Sequence, residues 1–234
     1  MQDTHVRALM GIWVCDFTEA SLAPHHELQI SFFVAPQPVA DIPAHPLSIA
    51  HLMLTRPDVA MLCFGLWNNT ETVVAYNRER LGLDARLAQS TIVRDNTGGS
   101  MRFEVHDGAT SRPVMNGSLR LQRRNQMHAT WSLMRLVGLK TMLANLSAPY
   151  TPMRVVNPVT PMLPQNNVAM AYAKSQTNLL RYYDPATDNL RFGGAPFDQL
   201  DFRPTYVQQM EGFRFVYLDP SAAPTAPAQS SAPV

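Results

Sequence analysis

Lysine is almost missing from this chain: Lys140 and Lys174 are the only two among 234 residues, and arginine supplies nearly all the positive charge. Lysine is the side chain that forms imines with carbonyl substrates, so at most two side chains can support that chemistry. Charge of either sign is scarce at 16% and nets to +1, leaving no basic field to attract nucleic acid or an anionic membrane. Cysteine is limited to Cys15 and Cys63, each in apolar sequence, which reads as two buried thiols in a reduced compartment. No run approaches the roughly 20 apolar residues needed to cross a bilayer. The first ten residues hold Asp3, His5 and Arg7 where a signal peptide would be apolar. Gly-rich phosphate loops, a Gly-x-Ser-x-Gly elbow and a Cys-x-x-Cys pair are all lacking. These absences predict a soluble, cytoplasmic protein without nucleic-acid or membrane partners.

What is present suits a substantial buried core, with 46% hydrophobic residues. Residues 219–234 read DPSAAPTAPAQSSAPV, a composition too small and proline-rich to bury much surface, and are expected to form a flexible tail. Upstream there is neither a linker nor a repeat, so residues 1–218 read as one domain.

Glu27 to Val34 alternates, with Glu27, Gln29 and Ser31 on one face and Leu28, Ile30 and Phe32 on the other. Pro36 to Pro46 is a connection unable to join a ladder. Val59 to Trp67 is nearly all apolar, as in a strand covered on both faces. Thr70 to Arg80 predicts a short helix, entered through Asn68, Asn69 and Thr70 as capping oxygens, with Val73, Val74 and Tyr76 inward and Gly82 as its stop. Met101, Phe103 and Val105 alternate between two turn signals. Val114 to Leu121 and Met127 to Leu133 read as strands, and Leu133 to Leu146 carries helical spacing. Val168 to Tyr172, Leu179 to Tyr183 and Gly212 to Leu218 complete the strands. Many short strands with few helices predict a β-rich α+β domain around a closed barrel or sandwich.

Residues 78–88 read Arg-Glu-Arg-Leu-Gly-Leu-Asp-Ala-Arg-Leu-Ala. This resembles the signature of the acetoacetate decarboxylase family: Arg-Glu, a short spacer, a proline, two consecutive lysines, then leucine. The preceding WNNTETVVAYN, the upstream Pro24-His25-His26-Glu27 and the downstream Ala195 to Leu200 resemble further family segments in the same order, over roughly residues 10 to 218. The resemblance implies an antiparallel β-barrel or cone with a few covering helices, a homo-oligomer, and chemistry without metal or cofactor. With Arg78-Glu79 and Leu87 held in register, the family's imine-forming lysine falls on Ala85, the adjacent lysine on Arg86 and the proline on Asp84. A second family glutamate would fall near Gly11 to Trp13, where no carboxylate stands. Alanine has no nucleophile, so the family's decarboxylation cannot proceed at that position.

Two charged candidates remain. Glu27 matches the family's catalytic-site glutamate and, if its strand face meets a cavity, acts as general acid or base. On an open strand face Glu27, Gln29 and Ser31 would be ordinary surface residues. Arg86 retains a cation that can hold carboxylate or enolate charge, or can simply pair with Asp84 or Glu79. Arg78 and Glu79 read as architectural. His25, Gln29 and Ser31 share Glu27's face and, with Lys174, are the expected substrate contacts. His25, His26 and Glu27 alternate in direction along a strand and do not make a metal site. The expected activity is that of a biosynthetic enzyme acting on a carbonyl-rich small molecule, of polyketide or β-keto acid type, without an imine. Cyclase, dehydratase or other lyase chemistry would fit. The alternatives are an aldolase or decarboxylase using Lys174 as a substitute imine former, and a non-catalytic small-molecule binder.

Overall fold

A computed structural model describes residues 8–39, 42–95, 97–147, 151–156, 168–194 and 197–217. The elements begin with β1 (Met10–Phe17), β2 (His25–Val34), α1 (Ser48–Thr55), β3 (Ala60–Asn68) and α2 (Glu71–Glu79). Three strands follow, β4 (Ala85–Asp95), β5 (Ser100–Asp107) and β6 (Pro113–Arg120), then two helices, α3 (Met127–Val137) and α4 (Leu139–Ser147). The remainder is β7 (Thr151–Val156), β8 (Val168–Lys174), β9 (Thr177–Tyr182), β10 (Asn189–Phe192), β11 (Tyr206–Glu211) and β12 (Arg214–Tyr217).

The apolar run read as a doubly covered strand is the centre of the sheet. β3 pairs along its length with β2, which in turn pairs with the edge strand β1, all antiparallel. On its other side it pairs in parallel with β4 at Leu66 to Asn68 and with β7 at Met61 and Leu62. The sheet therefore forks into one wing of β4, β5, β6 and β10 and another of β7, β8 and β12, while β9 and β11 form a separate ribbon. The domain is β-rich α+β, as expected, with a curled half-barrel. Its sheet is mixed rather than wholly antiparallel, because the α2 crossover returns β4 parallel to β3.

A bulge between Ile30 and Ser31 pairs Ile30 with Gly65 and Ser31 with Cys63, leaving Phe64 out of the ladder and 40% exposed. Glycine at 65 is required by close packing, since a Cβ there would stand 2.6 Å from the Trp67 ring. The two faces of the sheet carry different cores. Cys63, Leu66, Ala85 and Val155 pack with Val74 of α2 on one side. Leu28, Ile30, Trp67, Phe103, Val105 and Met115 pack together on the other. A third cluster joins Leu47, Ala129, Leu133, Val137 and Leu180 between α1, α3 and the ribbon. The ribbon is tied to β6 by a fully buried ion pair of Arg181 and Asp188, whose oxygens also accept the Arg120 and Asp184 amide hydrogens.

One element differs in type from its sequence reading. Met127 to Leu133, expected as a strand, is the first part of α3. The buried positions are Ala129, Leu133 and Val137, a four-residue spacing, while Met127 is 86% and Trp131 58% exposed. The apparent alternation mixed two buried positions, Ala129 and Leu133, with two exposed apolar ones, Met127 and Trp131. The helical spacing expected over Leu133 to Leu146 holds, broken into α3 and α4 at Gly138, whose φ of 83° only glycine adopts without strain. The expected tail lies outside the described residues, and so does Ala195-Pro196.

Candidate active site

Strand register sets three side chains in a row across β1, β2 and β3. Glu27 lies opposite Cys15 on one side and opposite Asn68 on the other. Directly opposed residues point to the same face of a sheet, here the face covered by α2. That helix adds Asn77, which is buried along with Val73 and Val74. Asn77 Nδ2 donates to Asn68 Oδ1 at 3.0 Å, and Asn68 Nδ2 donates to Glu27 Oε2 at 3.0 Å. Asn68 is fully buried and Asn77 is 3% exposed, so both are amides that must find internal partners.

Cys15, Glu27 and Asn77 line an open groove of about 2470 Å³, together with Trp13, Phe17, His25, Tyr76 and Phe213, while Asn68 is buried behind it. Glu27 is half-buried, with its carboxyl group between Asn68 and the groove. Burial raises its pKa from the ordinary 4.5 to about 7, and the Asn68 hydrogen bond opposes this only in part. No cation contributes to the shift. The same enclosure, together with the Glu27 charge, pushes the Cys63 thiol up to about 12 and the Cys15 thiol further, so both stay protonated.

The residues named from sequence separate into several environments. His25 shares the groove with Glu27; its Nδ1 donates to the Ala23 carbonyl at 3.0 Å and its ring packs on Phe17. Gln29 and Ser31 lie on Glu27's side of β2, but they are buried, Gln29 Nε2 donates to Ser31 Oγ at 2.7 Å, and neither lines the groove. Arg86 is on the opposite face. It pairs with Trp67 in register, stands over that ring at 5.8 Å, and forms a 2.7 Å ion pair with Asp84 beside a separate small hollow. The structure therefore does not bring Arg86 to Glu27. Lys174 ends β8 opposite Arg214, and its side chain lies outside those described.

Ala85 faces the α2 side of the sheet but is fully buried among Cys63, Leu66 and Leu83 and does not line the groove. The position onto which the resemblance puts the imine-forming lysine is thus core and not cavity wall. Arg78 is architectural, as read, because its Nε donates to the Ala85 carbonyl at 2.6 Å and ties the end of α2 to the start of β4. His26 points away from Glu27, with Nδ1 3.0 Å from Ser90 Oγ, and no group of metal-binding side chains occurs among the described residues.

Sequence reasoning missed Asn68, Asn77, Cys15 and Trp13. Asn68 was read as a helix cap, but it is the last residue of β3, and α2 has no side-chain cap. A legible signal existed at Asn77: it follows Val73 by four residues and so belongs to the buried stripe of its helix.

The architecture is that of a curled, β-rich α+β domain with a carboxyl-bearing groove, and several solved structures align with most of the chain at low identity. The acetoacetate decarboxylase of Legionella pneumophila subsp. pneumophila str. Philadelphia 1 is 10% identical, with a TM-score of 0.48 over 88% of this chain and 73% of that one. The acetoacetate decarboxylase-like enzyme from Sphingomonas wittichii RW1 is 11% identical, with a TM-score of 0.39 over 84% and 70%. The enduracididine biosynthesis enzyme MppR is 11% identical, with a TM-score of 0.38 over 85% and 66%. No protein-family model matches the chain and no curated protein matches it. At such identities and TM-scores the likeness transfers no residue's role.

Proposed function

We propose that this protein is an enzyme that binds a carbonyl-bearing small molecule in the groove and moves a proton with Glu27, without forming an imine. The observation that carries this reading is a half-buried carboxyl group on the wall of the groove, held by the Asn68 amide with no cation beside it, and its burial raises its pKa to about 7, where it can hold or release a proton near neutrality. Two further features support it. The lining around Glu27 is mainly aromatic and thiol-bearing, a surface suited to an uncharged, largely planar molecule. The Trp13 indole lines the same groove, and its buried N–H has no hydrogen-bond partner among the described residues, so a small rotation of the ring would present a free donor to a ligand carbonyl.

Chemically, the ionised Glu27 takes a proton from carbon next to a carbonyl. The resulting acid then protonates a departing hydroxyl, releasing water and restoring the carboxylate. The same pair of transfers serves an aldol cyclisation, in which the proton goes to the newly formed alkoxide. Polyketide and β-keto compounds have the acidic C–H that such a base requires. Cyclase, dehydratase and other lyase reactions all fall within this scheme.

The test is solvent-deuterium exchange at the α-carbons of a panel of neutral 1,3-diketones and β-hydroxyketones, followed by NMR. The wild-type protein should catalyse exchange, with a rate rising through pH 7 as the carboxylate forms. Glu27→Gln should lower the rate by about 10²–10⁴-fold. Borohydride added with the same compounds should leave the intact mass unchanged. Exchange that survives Glu27→Gln, or a reduced adduct on Lys174, would overturn the reading in favour of imine chemistry.

A further inference from the structure

We infer that Asn77 is a positioning residue for Glu27: acting through Asn68, it fixes Oε2 as a permanent acceptor and leaves Oε1 as the oxygen that exchanges its proton with a ligand in the groove. This rests on the acid–base reading of Glu27 given above and adds Asn68, buried behind the groove, and Asn77, which borders it.

The geometry is a linear chain of two hydrogen bonds, Asn77 Nδ2 to Asn68 Oδ1 and Asn68 Nδ2 to Glu27 Oε2, each 3.0 Å. A side-chain amide has a donor end and an acceptor end that are nearly equal in shape, so its orientation is decided by its partners. An ionised carboxylate can only accept, and it therefore requires the Nδ2 end of Asn68. Turned that way, the Oδ1 of a fully buried Asn68 needs a donor of its own, and Asn77 supplies it. Were Asn77 unable to donate, Asn68 would gain by turning its oxygen toward Glu27. That arrangement tolerates only the protonated acid, with Oε2 as the donor and the proton directed into the protein. The polarity of the chain thus decides whether the acid faces the ligand.

The titratable groups around this carboxyl group do not duplicate the effect. Cys15 on β1 and Cys63 on β3 are neutral across the relevant range. His25 on β2 and Tyr76 on α2 line the groove, with Asp16 and Arg214 further along its wall. None of them hydrogen-bonds to either asparagine. The chain lies beneath the α2 cover, which holds Asn77 at 3% exposure, so bulk water cannot replace the missing donor.

The test reads the carboxyl group and the two amides by NMR, independently of turnover. In the wild-type protein, the Glu27 Cδ resonance should titrate near pH 7, and the side-chain NH₂ signals of Asn68 and Asn77 should follow with the same midpoint. Asn77→Leu, which removes the donor at similar volume, should raise the Glu27 midpoint by about one unit and shift the α-proton exchange profile upward equally. An Asn77 NH₂ signal that ignores the Glu27 titration overturns the inference. So does a folded Asn77→Leu protein with an unmoved midpoint. If that variant fails to fold, the wild-type amide titration decides. Loss of exchange activity with an intact amide titration would instead refute the enzymatic reading and leave the relay standing.

Discussion

Replacing Glu27 with glutamine should change the pH dependence of stability in a way that measures the enclosure of this carboxyl group. Glutamine is a near-isostere of the neutral acid, and its carbonyl can still accept from Asn68 Nδ2. In the folded protein Glu27 titrates near 7 instead of 4.5, so between those values the native state binds more protons than the unfolded chain. Stability therefore falls as pH rises through this window: the contribution is complete below about 4.5 and gone above about 7. The gap in pKa corresponds to about 3 kcal/mol at most, reduced to about 2–3 kcal/mol because the residue is not wholly buried. At pH 9 the Glu27→Gln protein should be more stable than wild type by that amount, relative to the difference at pH 4. For a chain of this length the change in Tm is about 4–12 °C. Urea denaturation and thermal melts across pH 4–9 are the assay. A wild-type-minus-variant difference that is flat with pH would mean that the carboxyl group is hydrated in the folded state, and the acid–base reading would lose its basis.

Other consequences are equally open to measurement. Arg86→Ala should leave α-proton exchange unchanged, because the side chain lies on the other face from Glu27, and its exposed pair with Asp84 should contribute at most about 1 kcal/mol in urea titration. Asp188→Asn leaves the buried Arg181 guanidinium without its counter-charge and should destabilise by about 3–5 kcal/mol, and replacing both residues by apolar ones should recover only part of that loss, because the Arg120 and Asp184 amides would lose their acceptor. Gly65→Ala puts a methyl group 2.6 Å from the Trp67 ring and should destabilise by about 1–3 kcal/mol, seen as a lowered urea midpoint. Asn68→Leu removes the one hydrogen bond that favours the ionised acid, so the Glu27 midpoint measured by NMR should rise above 7.

Periodicity was a reliable guide where one face of an element is dry. The alternation from Glu27 to Val34, the apolar strand at residues 59–67 and the short helix near Thr70 all sit where their patterns required, because burial of alternate or four-spaced side chains is what stabilises them. Alternation over Met127 to Leu133 misled, since residues two apart in a half-buried helix can be apolar without sharing a face. The crossing of α2 from β3 to a parallel β4 was not visible, as parallel pairing depends on where the helix docks and leaves little local mark. At the candidate site, the alternation that set His25 and Glu27 on one strand face holds, and both line the groove. Arg86 was misplaced because one residue's step along a strand changes the face, and the register of β4 against β3 cannot be read from β4 alone. The asparagine relay depended on contacts between residues far apart in sequence, of which only the helical spacing of Asn77 left a trace.

The fork at β3 gives nine residues control over the order in which the molecule comes apart. Strands β10 and β12 end the two wings and can detach singly, so their amides should exchange with solvent through small local openings. The amides of β3 that bond to β2, β4 and β7 have no such route. Freeing them takes the departure of a whole wing or of the β1–β2 pair, so their exchange should need larger openings than that of the wing tips, and Glu27 is hydrogen-bonded to the last residue of this protected strand.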